Sequence, residues 1–148
     1  MTVTVQDLRV PASRYETPTW VDLTDADERA RLSPPAVRAL PRLASAWGVT
    51  VEQMGALLGG VAPSTWHSWK SSPPAELPVD RLTRISLLLG IYSALHALYR
   101  GELADQWISR PNTNPLFEGR TPLDVLIAGG IPAMVEVRAL LDARRGGL

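Results

Sequence analysis

The chain has 148 residues, in which 15 Lys and Arg balance 15 Asp and Glu, with 45% hydrophobic and 20% charged residues. That size fits one domain or two small ones sharing a core, and the apolar fraction is too high for a disordered chain. With no cysteine and only His67 and His96 as histidines, disulfides, thiolate metal sites and a cysteine nucleophile are excluded, and no run approaches the roughly 18 consecutive apolar residues of a membrane span.

Residues 1 to 32 read as an N-terminal arm. Thr2 to Val5 (TVTV) alternates as a short edge strand would, and the stretch lacks the apolar core of a secretory signal, which predicts a cytoplasmic location. Thr24, followed three residues later by Asp27, resembles a capping box and predicts a short helix from Asp25 to Leu32. Ser33 before Pro34 and Pro35 then reads as the N-cap of a new helix, whose apolar positions Val37, Leu40, Leu43, Ala44 and Trp47 lie three and four apart, with Pro41 as a kink and Gly48 as the stop.

Thr50 is placed to cap a helix from Val51 to Leu58, with Met54, Leu57 and Leu58 inward and Gly59-Gly60 ending it. Pro63 starts the next segment, Ser64 to Lys70. After a polar loop, SSPPAELP (Ser71 to Pro78), comes the longest helix, capped by Asp80 and ended by Gly101. Leu82, Ile85, Leu88, Leu89, Tyr92, Leu95 and Tyr99 make one apolar stripe, and Leu87, Ile91, Ala94 and Leu98 make another beside it. Such a helix is buried on several sides, a central pillar joining both halves. A short helix, Leu103 to Ser109, an extended stretch, PNTNPLFEGR, a helix from Thr121-Pro122 to Gly129-Gly130 and a last helix from Pro132 to about Arg144 complete the chain. No strand alternation follows residue 6, so the fold class is all-α. The expected division is 1–32 arm, 33–100 helix-turn-helix domain, and 101–148 C-terminal domain.

Two segments carry candidate function. Thr50 to Lys70 has a short helix, a glycine-containing turn and a second helix opening on small polar residues, the arrangement that sets a recognition helix in a DNA major groove. Ser64, Thr65, His67, Ser68 and Lys70 are the candidate DNA contacts, through hydroxyls and one lysine able to meet phosphates or base edges, with Trp66 and Trp69 anchoring the helix. An ordinary helical hairpin has the same spacing. Residues 34 to 100 carry six basic groups against three acids, a modest excess for meeting phosphates.

The second segment is the C-terminal third. RISLLLGIY (Arg84 to Tyr92), the W-x-x-x-PN-x-x-PLF-x-GR-x-PLD run (Trp107 to Asp124) and the ending VRALLDARRGG follow the helix-turn-helix in order. Together they make residues 33 to 147 resemble the Xre/MbcA/ParS family of antitoxins. The resemblance implies an Xre-like helix-turn-helix half joined by the long central helix to a small helical toxin-binding half. It also implies a RES-domain toxin as partner, an enzyme that consumes NAD, whose active-site mouth the antitoxin's C-terminal end covers. No cofactor is implied for the chain itself, and the antitoxin is not the enzyme. Carried onto this sequence, the toxin-binding positions are Arg138, Leu141, Arg144, Arg145, Gly146, Gly147 and Leu148, with Asn112, Asn114, Phe117 and Arg120 after them.

The residues fit that implication in their own chemistry. Arg144 and Arg145 suit the negative end of a helix dipole, and Gly146-Gly147 lets the terminal chain bend against another surface. The competing bland reading is a frayed helix end with solvated arginines. In the same way, Asn112, Asn114 and Gly119 are turn residues, Leu116 and Phe117 fit a core, and Arg120 and Asp124 are spaced to pair locally. His96 reads as a core-edge histidine with a satisfied hydrogen bond.

Three classes compete. An enzyme would need clustered titratable groups or a phosphate loop, and neither is present in the sequence. A stand-alone helix-turn-helix repressor explains residues 50 to 70 and leaves the C-terminal run without a purpose. An antitoxin that binds operator DNA to regulate its own operon, as a homodimer on half-sites about one helical turn apart, accounts for both. The apolar positions left over on the long helix are the expected dimer surface.

Overall fold

The computed structural model describes residues 21–146; the arm's TVTV segment, and Gly147 and Leu148, lie outside them. Six α-helices follow in order: α1 (Ala26–Trp47), α2 (Val51–Leu57), α3 (Pro63–Ser71), α4 (Val79–Leu98), α5 (Glu102–Gln106) and α6 (Pro122–Arg145), with a 3-10 turn at Trp107–Ser109. No strand occurs among the described residues, in keeping with the all-α expectation.

The first helix corrects the expected boundary at Ser33. Asp25, not Thr24, is the N-cap, accepting a hydrogen bond from the Asp27 N–H. Thr24 instead donates its hydroxyl and its N–H to the Asp22 carboxylate, which lowers that group's pKa. From Ala26 the helix runs without a break through Pro34, Pro35 and Pro41 to Trp47. A proline inside a helix removes one N–H and crowds the carbonyl a turn earlier, at a cost of about 3 kcal/mol. Tertiary contacts hold the helix together across that weakness. The Ser33 hydroxyl, fully buried, donates to the Arg29 carbonyl at 2.6 Å and accepts from the Leu77 N–H at 2.8 Å.

Arg29 reinforces the same clamp. Its Nε and Nη2 both donate to Glu76 Oε1, at 3.2 and 2.8 Å, and its Nη1 donates to the Leu23 carbonyl at 2.9 Å. The first turns of α1 are thereby tied to the loop that leads into α4. Leu32, Ala36, Val37, Leu40, Leu43 and Trp47 form the buried face, and the left-handed Gly48 ends the helix.

In α4 the expected Asp80 cap is likewise replaced. Pro78 occupies the N-cap, while Asp80, in the first turn, pairs with Arg84 one turn on at 2.9 Å. The helix stops at Leu98 with Tyr99 as its C-cap, short of Gly101. Both apolar stripes are used: Leu82, Ile85, Leu88, Ile91, Ala94 and Leu95 are fully buried, because α1, α5 and α6 all pack on this helix. Little apolar surface is left on α4 for a dimer contact, since Val79 is its only large exposed hydrophobic residue.

The last helix contains a break. Gly130 takes φ 63° and ψ −146°, a region open essentially to glycine alone, so α6 is two helical segments meeting near the expected Gly129-Gly130 stop. Thr121 caps the first segment by accepting from the Asp124 N–H at 3.1 Å, and Pro132 lies in the first turn of the second.

Replacing Ser33 tests the clamp. Ser33→Ala leaves the buried Leu77 N–H without a partner and is expected to destabilise the chain by about 1–3 kcal/mol, read from urea denaturation midpoints at constant slope.

Candidate functional site

The helix-turn-helix is built by local chemistry. Thr50 and Gln53 form a reciprocal capping box, Thr50 Oγ1 accepting from the Gln53 N–H at 3.0 Å and Gln53 Oε1 accepting from the Thr50 N–H at 2.8 Å. After α2 the chain turns back so tightly that the N–H groups of Gly60 and Val61 both bond to the Gly55 carbonyl. A Cβ at Gly55 would lie 2.3 Å from the Val61 oxygen, so only glycine allows this approach. Pro63 then occupies the first position of α3.

On α3, Trp66 and Trp69 are buried, while Ser64, Thr65, His67, Ser68 and Lys70 are all exposed. The five expected DNA-contact residues therefore share the solvent side of one helix anchored by two indoles. Lys70 Nζ lies 5.4 Å from the Trp66 ring centroid, a cation–π contact that holds the helix's single lysine close to α3.

The C-terminal candidates divide into buried and exposed groups. Leu141 and Phe117 are fully buried and Arg138 is 6% exposed, which takes all three out of the accessible surface on which a toxin contact was expected. Phe117 packs edge-on against Trp107 with ring centroids 5.6 Å apart. Asn112 Oδ1 accepts from the Asn114 N–H and Asn114 Oδ1 accepts from the Leu116 N–H, both at 2.9 Å, two consecutive turns that drive Phe117 into the core. Arg120 bonds the Phe117 carbonyl at 3.4 Å rather than pairing with Asp124, and its own carbonyl accepts from the Asn112 N–H at 3.1 Å, closing the loop.

α6 ends on the half-buried Arg144 and the exposed Arg145, with the exposed Gly146 as its C-cap. Arg144 Nη1 donates to the Tyr99 hydroxyl at 3.2 Å, and Arg145 stands 3.8 Å from Asp142. Tyr99 also lines a shallow apolar groove of about 250 Å³ with Leu103, Trp107, Arg110, Pro111 and Asn112, beside the α6 tip. Leu103, 56% exposed, lies at its edge. Sequence reasoning missed this groove because it joins residues from the end of α4, α5 and the following loop, none of which shares a helical period.

It also missed the reason for Gly90. A Cβ there would lie 1.6 Å from Arg138 Nη1, so the guanidinium crosses α4 in the space a side chain would fill, while its Nε donates to Asp142 at 2.9 Å. A lone glycine inside an otherwise apolar helix was the available signal. His96 meets its expectation as an edge residue with a partner, its Nε2 lying 2.7 Å from Asp105 Oδ1. No helix among the described residues is long and apolar enough to cross a membrane.

A helix-turn-helix with a presented second helix is thus joined through one long helix to a small helical domain ending in paired arginines. Residues 28–90 match the antitoxin Xre-like helix-turn-helix domain, and residues 94–147 match the antitoxin Xre/MbcA/ParS C-terminal toxin-binding domain. The uncharacterized protein y4oB of Sinorhizobium fredii is 37% identical over 115 residues, covering 77% of this chain and 87% of that protein. The chain belongs to the Xre/MbcA/ParS antitoxin family. Its partner is accordingly a toxin, and the seam between the two matched regions falls inside α4.

Gly90→Ala is expected to expel Arg138 from its crossing and destabilise the fold by about 1–3 kcal/mol. In urea denaturation Arg138→Ala should cost less in the Gly90→Ala background than alone, because the two substitutions remove the same contact.

Proposed function

We propose that this antitoxin neutralises a RES-domain toxin, an enzyme that consumes NAD, by laying the C-terminal end of α6 over the mouth of the toxin's active site. The observation that carries the reading is the chemistry at that end. Arg145, at the end of α6, and Gly146, its C-cap, are exposed with the half-buried Arg144 beside them, and the toxin-binding match extends through all three to residue 147. Arginine forks there are suited to carboxylates in a cofactor pocket. Gly147 and Leu148 extend the same segment. The groove of Tyr99, Leu103 and Trp107 beside it offers the apolar area that a charged tip by itself lacks. Arg138, Leu141 and Phe117, all buried, support this surface from behind, while Asn112, which lines the groove, Asn114 and the exposed Arg120 shape the loop beside it.

The same chain is proposed to repress its own operon, as a homodimer, through the exposed row on α3. Ser64, Thr65, His67, Ser68 and Lys70 supply polar contacts that are undemanding of base identity, and the low positive charge of α3 keeps the affinity modest.

Cellular NAD measured while the neighbouring toxin gene is induced tests the first part. Full-length antitoxin is expected to preserve NAD, and a chain ending at Ala143 is expected to let it collapse while keeping its helical circular-dichroism spectrum. Normal protection by the shortened chain would overturn the tip mechanism, and a neighbour that leaves NAD untouched would favour a stand-alone repressor. For DNA, His67→Ala with Lys70→Ala is expected to weaken operator binding and flatten the salt dependence by about one to two units of slope in gel-shift titrations. An operator that wild-type protein fails to shift at low salt, with or without toxin, would refute autoregulation by direct binding.

A further inference from the structure

Arg84, on α4, lies between the turn of the helix-turn-helix and the break in α6. Its side chain is 18% exposed and its Nε donates to Asp80 at 2.9 Å. A Cβ at Gly59, in the turn between α2 and α3, would lie 2.9 Å from Arg84 Nε and 3.1 Å from Cζ. A Cβ at Gly130, at the break in α6, would lie 3.7 and 3.8 Å from Nη1 and Nη2. One edge of the guanidinium therefore rests on the helix-turn-helix turn and the other faces the break in the toxin-binding helix. Both backbones beside it have positive φ, 84° at Gly59 and 63° at Gly130, one in the turn after α2 and the other at the break in α6.

We infer that Arg84 is a positioning residue that couples the α6 break to the turn presenting α3. The guanidinium is rigid and is pinned at Nε by Asp80, so a displacement of α6 that moves one edge is transmitted to the other. By linkage the coupling runs both ways: whatever shifts α6 alters α3, and DNA held on α3 alters α6. That a toxin is what displaces α6 rests on the function proposed above; the coupling itself does not.

The test uses the chain alone, so it stands apart from the identity of the toxin. Amide hydrogen exchange is followed at Gly60 and Val61, whose N–H groups bond to the Gly55 carbonyl. Gly130→Ala, which cannot keep φ 63° and ψ −146° without strain, is expected to speed exchange there by about fivefold or more, and to change it by less than about twofold in an Arg84→Ala background. Arg84→Lys keeps the charge beside Asp80 but lacks the planar fork, and is expected to uncouple the sites as alanine does. An unchanged Gly60 and Val61 in Gly130→Ala, an equal change with and without Arg84, or coupling restored by lysine would each overturn the inference. If Gly130→Ala does not fold, Pro132→Ala, in the first turn after the break, takes its place in the same comparison. Faster exchange at Gly60 that is lost in the Arg84→Ala background supports the coupling, and equal exchange with and without Arg84 refutes it.

Discussion

Burial of α4 on more than one side is the constraint from which the rest of the antitoxin follows. A helix carrying two adjacent apolar stripes cannot be satisfied by a single neighbour, and α1, α5 and α6 share the task. Because the seam between the two family domains falls within α4, neither half has a complete core without the other's helix. This is a physical reason for the helix-turn-helix and toxin-binding modules to behave as one folding unit.

Charged side chains then set how the surrounding elements sit on that pillar. Arg138 seats α6 on α4 by crossing Gly90, its guanidinium held by Asp142 one turn on in the same helix, and Arg29 with Ser33 locks the first turns of α1 to the loop before α4. Buried or half-buried guanidinium groups are costly unless paired, and each of these is held by a carboxylate. The arginines left accessible at the α6 tip are thus distinguished from structural ones by position, not by residue type.

The same division explains the long PNTNPLFEGR run. Its asparagines spend their side-chain oxygens on the turns that bury Phe117, so the signature shapes the domain, while the neighbouring groove at Tyr99, Leu103 and Trp107 is the surface it leaves open.

Local chemistry was legible in the residues. The Thr50 cap, the Gly48 stop, the anchoring of α3 by Trp66 and Trp69, the break at Gly129-Gly130 and the two stripes of α4 all depend on interactions within a few residues, or on a period that the chain itself displays. The family followed from ordered motifs. What tertiary structure decided were the points where a local signal was overruled by a distant partner. Ser33-Pro34-Pro35 reads as a helix start, yet it lies inside α1 because Leu77, 44 residues away, takes the serine oxygen. Arg138 and Leu141 look like the approach to an exposed tail, yet Leu141 is part of the core and Arg138 is buried because α4 lacks a side chain at Gly90 and admits its guanidinium. Contacts between residues far apart in the chain leave no period in the sequence, so only the folded packing assigns which arginines are buried in the molecule and which stay exposed.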